Sequence, residues 1–516
     1  MSLAVSPVAK PLRTILIKHK WVLDCFVLLA YFSLVCFTLL HHEPWRDEAI
    51  SWLISRDSSF TQLLFQCLPY EPHPMAWYLF LFSLSHAGLP FEGLPFVHLG
   101  IAFLTVILFF WKAPFPRPVK YAFAFSYYMM SEYAIIVRGY SLTILTLFCV
   151  AACYKERFNK PLLYGALVAF LPNTEYLCIS MAAGLVVLYG VEIFQRNLLK
   201  RMQALGFVIM LTGLLITAWQ IIRVPNDCNT IASGNGMNPV VLMAALSRMF
   251  LPLLPDIPQG AALFITATVL AGSFFYLLRK PTLIFLMTAA YSGLFYIFLF
   301  KSPNVLYLRH YGFLMIFLLF LLWIRDEYPA YEKGVFRFFK NKEKLFSQVY
   351  ISLMTAITLA LSASVQYTYF THRMDYYLPY SGAKKMAEII KKIPGSGHTQ
   401  NAAIVGYPLG RLAAIIAYCP ERKFWDPQKR TFGIHTVNKA IPVQDQKLSP
   451  REVIIRAGIH FRSIADLLFV FCEPLPFTEE FGYTFRRLYA ADKGVWGVGL
   501  ERFYLYKAVR NEKQKD

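Results

Sequence analysis

Residues 21–49 read WVLDCFVLLAYFSLVCFTLLHHEPWRDEA. The stretch from Trp21 to Leu40 is apolar except for Asp24, Ser33 and Thr38. As an α-helix rising 1.5 Å per residue it measures about 30 Å, the thickness of a bilayer's hydrocarbon core. It ends on His41-His42-Glu43-Pro44 and, just beyond, Asp47-Glu48. A helix of this kind crosses a membrane and delivers a cluster of ionisable groups to the water at its far end.

The rest of the chain follows the same logic. Of 516 residues, 57% are hydrophobic and 16% charged, with a mean hydropathy of +0.45. A water-soluble protein of this length needs more charge to cover its surface. The apolar residues fall in runs bounded by Lys, Arg, Pro, Gly or Asn. These runs predict eleven spans, at 22–40, 95–111, 121–137, 140–153, 161–172, 176–194, 204–222, 259–278, 282–300, 310–324 and 346–364. Residues 41–94 are broken by Pro and His and read as one large outer loop, with amphipathic segments lying on the bilayer surface. The fold class is therefore a polytopic α-helical membrane domain over 22–365, preceded by a cytoplasmic N-terminus (1–21).

Charge sets the orientation. The net charge is +20. That excess would suit nucleic acid, but it lies in short loops, where it reads as a topology signal, and no nucleic-acid partner is expected. Before residue 366 the segments assigned to the inside hold 21 Lys and Arg, and those outside hold seven. This bias puts the N-terminus in the cytoplasm of a bacterial cell and the C-terminus outside its inner membrane. Residues 366–516 contain no run long enough to span. Ser381 to Ile393 has helical periodicity, Arg411 to Tyr418 is helical, and Ala402–Tyr407, Leu467–Cys472 and Arg502–Val509 read as strands. This is an extracytoplasmic α/β domain in which Cys419 and Cys472 could pair. No Gly-rich phosphate loop stands at its strand-to-helix turns, so it is expected to bind or scaffold.

The residues that can carry chemistry gather on the outer face. They are Asp47 and Glu48; Glu71 and His73 in Glu71-Pro-His-Pro74; Glu132; Arg138 and Tyr140 in Arg138-Gly-Tyr140; Arg223; and Arg309 and His310 in Tyr307-Leu-Arg-His-Tyr311. Each has a plain structural use, since acids form ion pairs and arginines snorkel to headgroups. As a set they suit transfer of a sugar from a lipid phosphate. The leaving phosphate is already anionic, so the reaction needs one carboxylate to take a proton and cations or a metal to hold charge. Asp47 or Glu48 would be the base, and Asp47 could ligate Mg or Mn. Arg138, Arg309, His310 and Arg223 would grip the donor phosphate, with His73, Glu71, Glu132 and Tyr140 in support. Adjacent helix residues point about 100° apart, so Asp47 and Glu48 are not expected to share one task.

These motifs resemble the GT-C superfamily of membrane glycosyltransferases, in the branch of the protein O-mannosyltransferases and the lipid A aminoarabinose transferase. The resemblance rests on Asp47-Glu48-Ala49 after the first span, His73-Pro74 before Trp77-Tyr78, Arg138-Gly-Tyr140, and Arg309-His310-Tyr311, in that order over residues 20–325. It implies a polyprenyl-phosphate sugar donor that enters from the membrane lipids, and an essential acid at Asp47. Two positions depart from the pattern: Met75 replaces a proline, and Arg138 stands where many relatives carry an acid. The acceptor (lipid, glycan or protein) is left open. A transporter or flippase, and a non-catalytic partner in envelope assembly, are the alternatives. The absence of an internal repeat and the one-sided clustering of charge speak against transport.

Overall fold

In a computed structural model the described residues are 20–198, 200–228, 239–252, 258–301, 308–331, 342–393, 404–433, 437, 439, 447–462, 464, 466–497 and 501–511. Helix α1 runs from Lys20 to His41 and stops short of Pro44. The expected outer loop then folds into two helices, α2 (Arg46–Arg56) and α3 (Met75–His86), the second opening directly after Pro74. Next come α4 (Leu94–Lys112), α5 (Arg117–Phe125), a π-helical turn at Tyr128–Glu132, α6 (Tyr140–Cys153) and α7 (Pro161–Thr174). They are followed by α8 (Ile179–Gln195), α9 (Arg201–Ile222), α10 (Pro239–Ser247), α11 (Gln259–Leu277) and α12 (Pro281–Tyr296). The membrane part closes with α13 (Leu308–Trp323), α14 (Glu343–Ala363) and α15 (Val365–Tyr377).

Eight helical stretches among the described residues are long and apolar enough to cross a membrane. The other three expected spans are shorter. Between 121 and 137 the chain leaves helix at Ser126, passes through the π turn, and has no helix from Ile135 to Arg138. Helices α6 and α7 have 14 residues each, about 21 Å at 1.5 Å per residue, which is less than a bilayer core. Helix α6 is largely buried, and α7 buries one face against its neighbours. Gly165 on α7 and Gly206 on α9 bring two backbones together, since a Cβ at Gly165 would lie 2.6 Å from the Gly206 carbonyl oxygen. Small residues at such crossings are the usual route to close packing between membrane helices. Helix α13 is apolar on every side and is buried along 83% of its most apolar window, so it forms the axis of the bundle.

The two ends of the bundle differ. At the start of α1, Asp24 is bonded by Arg117 at 2.8 Å and by Tyr121 at 2.7 Å. Elsewhere among the basic positions assigned to the inside, Arg157 is paired with Glu192 at 2.9 Å, and Arg279 with Glu343. At the end of α1 stand His42, α2 and the C-terminal domain.

That domain is a seven-stranded sheet in the order β3-β2-β1-β4-β7-β6-β5. Its strands are β1 (Ile404–Tyr407), β2 (Phe424–Asp426), β3 (Thr431–Gly433), β4 (Asp466–Phe471), β5 (Glu479–Glu480), β6 (Tyr483–Ala491) and β7 (Phe503–Arg510). Strand β1 pairs parallel to β2 and β4, and the other pairings are antiparallel. Helices α16 (Ala383–Lys392) and α17 (Ala413–Tyr418) cover one face, and α18 (Pro450–His460) covers the other. Cys419 and Cys472 are both free thiols. The α16–α17 layer is shared with the membrane part: Ala414, Ile415 and Leu468 lie in one apolar cluster with Ala49, Trp52, Leu53, Trp77 and Phe91.

Candidate functional site

The site is built around the first turn of α2. Pro44 and the extended Trp45 (φ −109°, ψ −176°) turn the chain sharply from α1 into α2. Glu48, at the third helical position, folds back so that Oε2 accepts the Trp45 N–H at 2.9 Å, while Oε1 accepts the Val137 N–H at 2.6 Å. Its other neighbour is His42, with Nε2 3.7 Å from Oε2 and Nδ1 3.1 Å from Asp375 of α15. Glu48 is 1% exposed. It ties α1, α2 and the 133–139 segment together.

Asp47, one residue earlier, faces elsewhere and keeps 20% of its side chain open to water. Its carboxylate lies 3.5 Å from Arg309 Nη2 and 3.4 Å from Arg46 Nε. Arg138 Nη1 donates to the Asp47 carbonyl at 2.5 Å and to Ser51 Oγ at 3.1 Å. Gly139 permits this approach, since a Cβ there would stand 3.2 Å from Trp77 Cβ. Arg309 sits at the start of the buried α13, where its backbone carbonyl accepts the Tyr133 hydroxyl at 2.7 Å. Its Nη1 is 3.9 Å from Glu132, whose Oε1 accepts the Tyr127 hydroxyl at 2.6 Å. The guanidinium lies 5.8 Å from the Tyr140 ring centroid, and the Tyr140 hydroxyl is 2.8 Å from His310 Nε2. Arg138 and Arg309 are 8% and 3% exposed.

His73 adds a second group of residues. Its Nδ1 lies 3.1 Å from Glu175 Oε2 and therefore carries the hydrogen. Burial and the nearby Arg138 charge hold the imidazole below its ordinary pKa. Glu71 accepts the Tyr78 hydroxyl at 2.8 Å, and burial pushes its pKa up to about 7. Glu175, in the outer-face segment that ends the fifth expected span, has no role assigned to it from the sequence. Its signal was an acid at the end of an apolar helix, in Pro172-Asn-Thr-Glu-Tyr176, where the chain leaves helix at φ −158°, ψ 132°. Arg223 belongs to a different place. It donates to the Leu64 carbonyl at 3.3 Å and stacks over Trp219 at 4.1 Å; among the described residues no contact joins it to Asp47, Arg138 or Arg309.

The carboxylate offered to a divalent metal, Asp47, has two guanidinium groups as its charged neighbours. Among the described residues no three His, Cys, Asp or Glu side chains converge as a metal set. The Asp47 carboxylate has Arg46 and Arg309 as its ion-pair partners, at 3.4 and 3.5 Å.

A groove of about 630 Å³ runs between α3, α7 and α9. Its walls are apolar, with Leu79, Phe80, Phe170 and Ile209 among them, and α9 is buried along only 22% of its most apolar window, so it faces lipid. Beside Met75 and Asn173 in its wall the groove turns polar. There Gln220 Nε2 donates to Asn173 Oδ1 at 2.8 Å, and Gln220 Oε1 accepts the Met75 N–H at 2.8 Å. Met75 and Asn173 stand two residues from His73 and Glu175, which places this polar stretch beside the ionisable cluster.

The eight long apolar helices around a buried axis, with a sheet domain on one end, define a multi-pass helical membrane protein carrying an α/β domain. No protein-family model and no curated protein sequence matches the chain.

Proposed function

We propose that the protein is a glycosyltransferase that moves a sugar from a polyprenyl-phosphate donor to an acceptor hydroxyl at the outer face of a bacterial cytoplasmic membrane. One observation carries the reading: the partly exposed Asp47 carboxylate is paired with the buried Arg309, the buried Arg138 is bonded to the Asp47 backbone carbonyl, and a lipid-facing groove lies beside the cluster. The groove suits an isoprenoid chain, and Arg138 and Arg309 suit the phosphate at its head. Asp47 takes the proton as the acceptor oxygen bonds to the anomeric carbon. The bond from that carbon to the phosphate oxygen breaks, and the guanidinium groups hold the charge that develops there. Arg309 contacts Asp47 only at 3.5 Å, a separation that leaves it able to turn toward an arriving phosphate. Glu48 holds the turn in place, and the His73–Glu175 pair stands near the two arginines.

Parity is compatible with the orientation read from the charge bias. The first helix begins at one face, and the C-terminal domain packs on α2, just beyond the other end of that helix. If α1 spans, the chain ends on the face opposite its start, which takes an odd number of crossings. Eight is even, so α5 with its π turn, α6 and α7 supply an odd number, and eleven satisfies this. The charge bias then puts the α/β domain outside. The deciding experiment is transfer by purified protein in lipid nanodiscs, offered a panel of polyprenyl-phosphate sugars. Wild type consumes one of them and Asp47→Asn does not, while both still bind undecaprenyl phosphate. Transfer retained by Asp47→Asn, or no consumption by wild type across the panel, refutes the reading.

A further inference from the structure

The start of α2 lacks a cap of its own. An α-helix leaves its first N–H groups unsatisfied, and a Ser, Thr, Asp or Asn at the capping position normally supplies an oxygen. Here the capping residue is Trp45, whose side chain has no oxygen. Glu48 satisfies the Trp45 N–H but not that of Arg46. The missing acceptor comes from 455 residues away: Glu501 of the C-terminal domain presents Oε1 at 3.1 Å and Oε2 at 3.3 Å to the Arg46 N–H. Ser381 holds that carboxylate, donating its hydroxyl to Oε2 at 2.8 Å, and the Gly382 N–H donates to the Glu501 carbonyl at 3.1 Å. Gly382 is required there, because a Cβ would fall 2.8 Å from the Ala491 carbonyl oxygen. Around this latch Tyr380 packs against Trp496 at 5.2 Å and against His42 at 4.5 Å. Glu501 is 9% exposed.

We infer that Glu501 is a positioning residue: through its carboxylate the outer domain caps the helix whose first turn bears Asp47, and so fixes where that carboxylate stands. An acceptor oxygen at this helix end also meets the positive pole of the helix dipole, which favours the same arrangement. The outer domain is thus part of the site itself, not only a platform for acceptors. The inference rests on Asp47 being the working acid, but its structural half can be tested without any turnover.

The test uses the full-length protein in lipid nanodiscs, with Glu501→Gln, Glu501→Ala and Ser381→Ala. Hydrogen exchange is followed at the amides of residues 45–50 and, separately, across the β-sheet. Glu501→Gln keeps an oxygen acceptor and should exchange like wild type. Glu501→Ala should exchange at least tenfold faster at 45–50 with the sheet amides unchanged, and Ser381→Ala should fall between. With the polyprenyl-phosphate sugar that wild type consumes, Glu501→Ala should lower kcat at least tenfold and leave KM within twofold, and Glu501→Gln should restore kcat. Unchanged exchange at 45–50 in Glu501→Ala overturns the latch. Faster exchange with kcat unchanged overturns the positioning role and leaves the transferase reading standing. Absence of transfer by wild type overturns that reading, and exchange alone still decides the latch. Should Glu501→Ala not fold, Ser381→Ala decides: exchange at 45–50 equal to wild type overturns the latch.

Discussion

Asp47 and Glu48 are neighbours of identical charge, and the structure assigns them opposite liabilities. Glu48 accepts two backbone N–H groups in a buried setting, at 2.6 and 2.9 Å. Truncation to Ala strands both donors, at about 1–3 kcal/mol each, and also removes a partner of the buried His42. The expected loss is about 3–6 kcal/mol. At about 2–4 °C per kcal/mol for a domain of moderate size, the apparent unfolding midpoint falls by roughly 6 °C or more. Asp47→Asn keeps the shape of the side chain, loosens pairs at 3.4 and 3.5 Å, and leaves Arg309 its other carboxylate, Glu132, at 3.9 Å, so it costs less than Glu48→Ala. The measurement is thermal unfolding of detergent-purified variants by tryptophan fluorescence, beside the transfer assay. Glu48→Ala should be unstable and Asp47→Asn stable but inactive. If Asp47→Asn melts as early as Glu48→Ala, or Glu48→Ala melts like wild type, the division of labour argued from these hydrogen bonds is wrong.

Three further outcomes are expected. Arg309→Ala should weaken binding of undecaprenyl phosphate at least tenfold, measured by titration in nanodiscs, whereas Arg223→Ala, which lies apart from Asp47, should change it less than threefold. Thr212→Trp, in the groove wall, should reduce retention of co-purified isoprenoid lipid, measured by mass spectrometry, with the unfolding midpoint within about 2 °C. Glu43, Glu71 and Glu501 are each pushed up to about 7 by burial. A carboxyl with a raised folded pKa binds its proton more tightly in the folded state. It therefore favours folding below its unfolded value of about 4.3 and loses that contribution as pH rises to about 7. The unfolding midpoint should fall between pH 4.5 and 7, and Glu71→Gln should flatten part of that slope.

The sequence shows the parts of the fold that depend on composition along a line. Trp21–Leu40 is legible as a span because twenty consecutive residues meet one solvent, and Ala383, Met386, Ala387 and Ile390 are legible as a helix face because they recur at helical spacing. Helices α6 and α7 are apolar enough to look like spans, but what sets their length is packing against neighbours, through contacts such as Gly165 on Gly206, and a one-dimensional reading does not register that. Strand β6 (Tyr483–Ala491) is not legible in the sequence because the alternation of Tyr483, Thr484, Phe485 and Arg486 breaks at the exposed Arg487, where the register with β7 shifts. In the site, Arg138, Arg309, His310 and Asp47 could be named from sidedness alone. Glu175 and Glu501 could not be paired with His73 and Arg46, since those contacts join residues 102 and 455 positions apart.

The apolar layer that the sheet domain shares with Ala49, Trp52 and Phe91 has a consequence for how the molecule is made. A fragment beginning near residue 378 would carry Ala414, Ile415 and Leu468 on a face with nothing to cover it, and would aggregate rather than stay in solution. The last quarter of the chain therefore depends on α2 and α3 to cover its apolar face, and the finished protein has no detachable half.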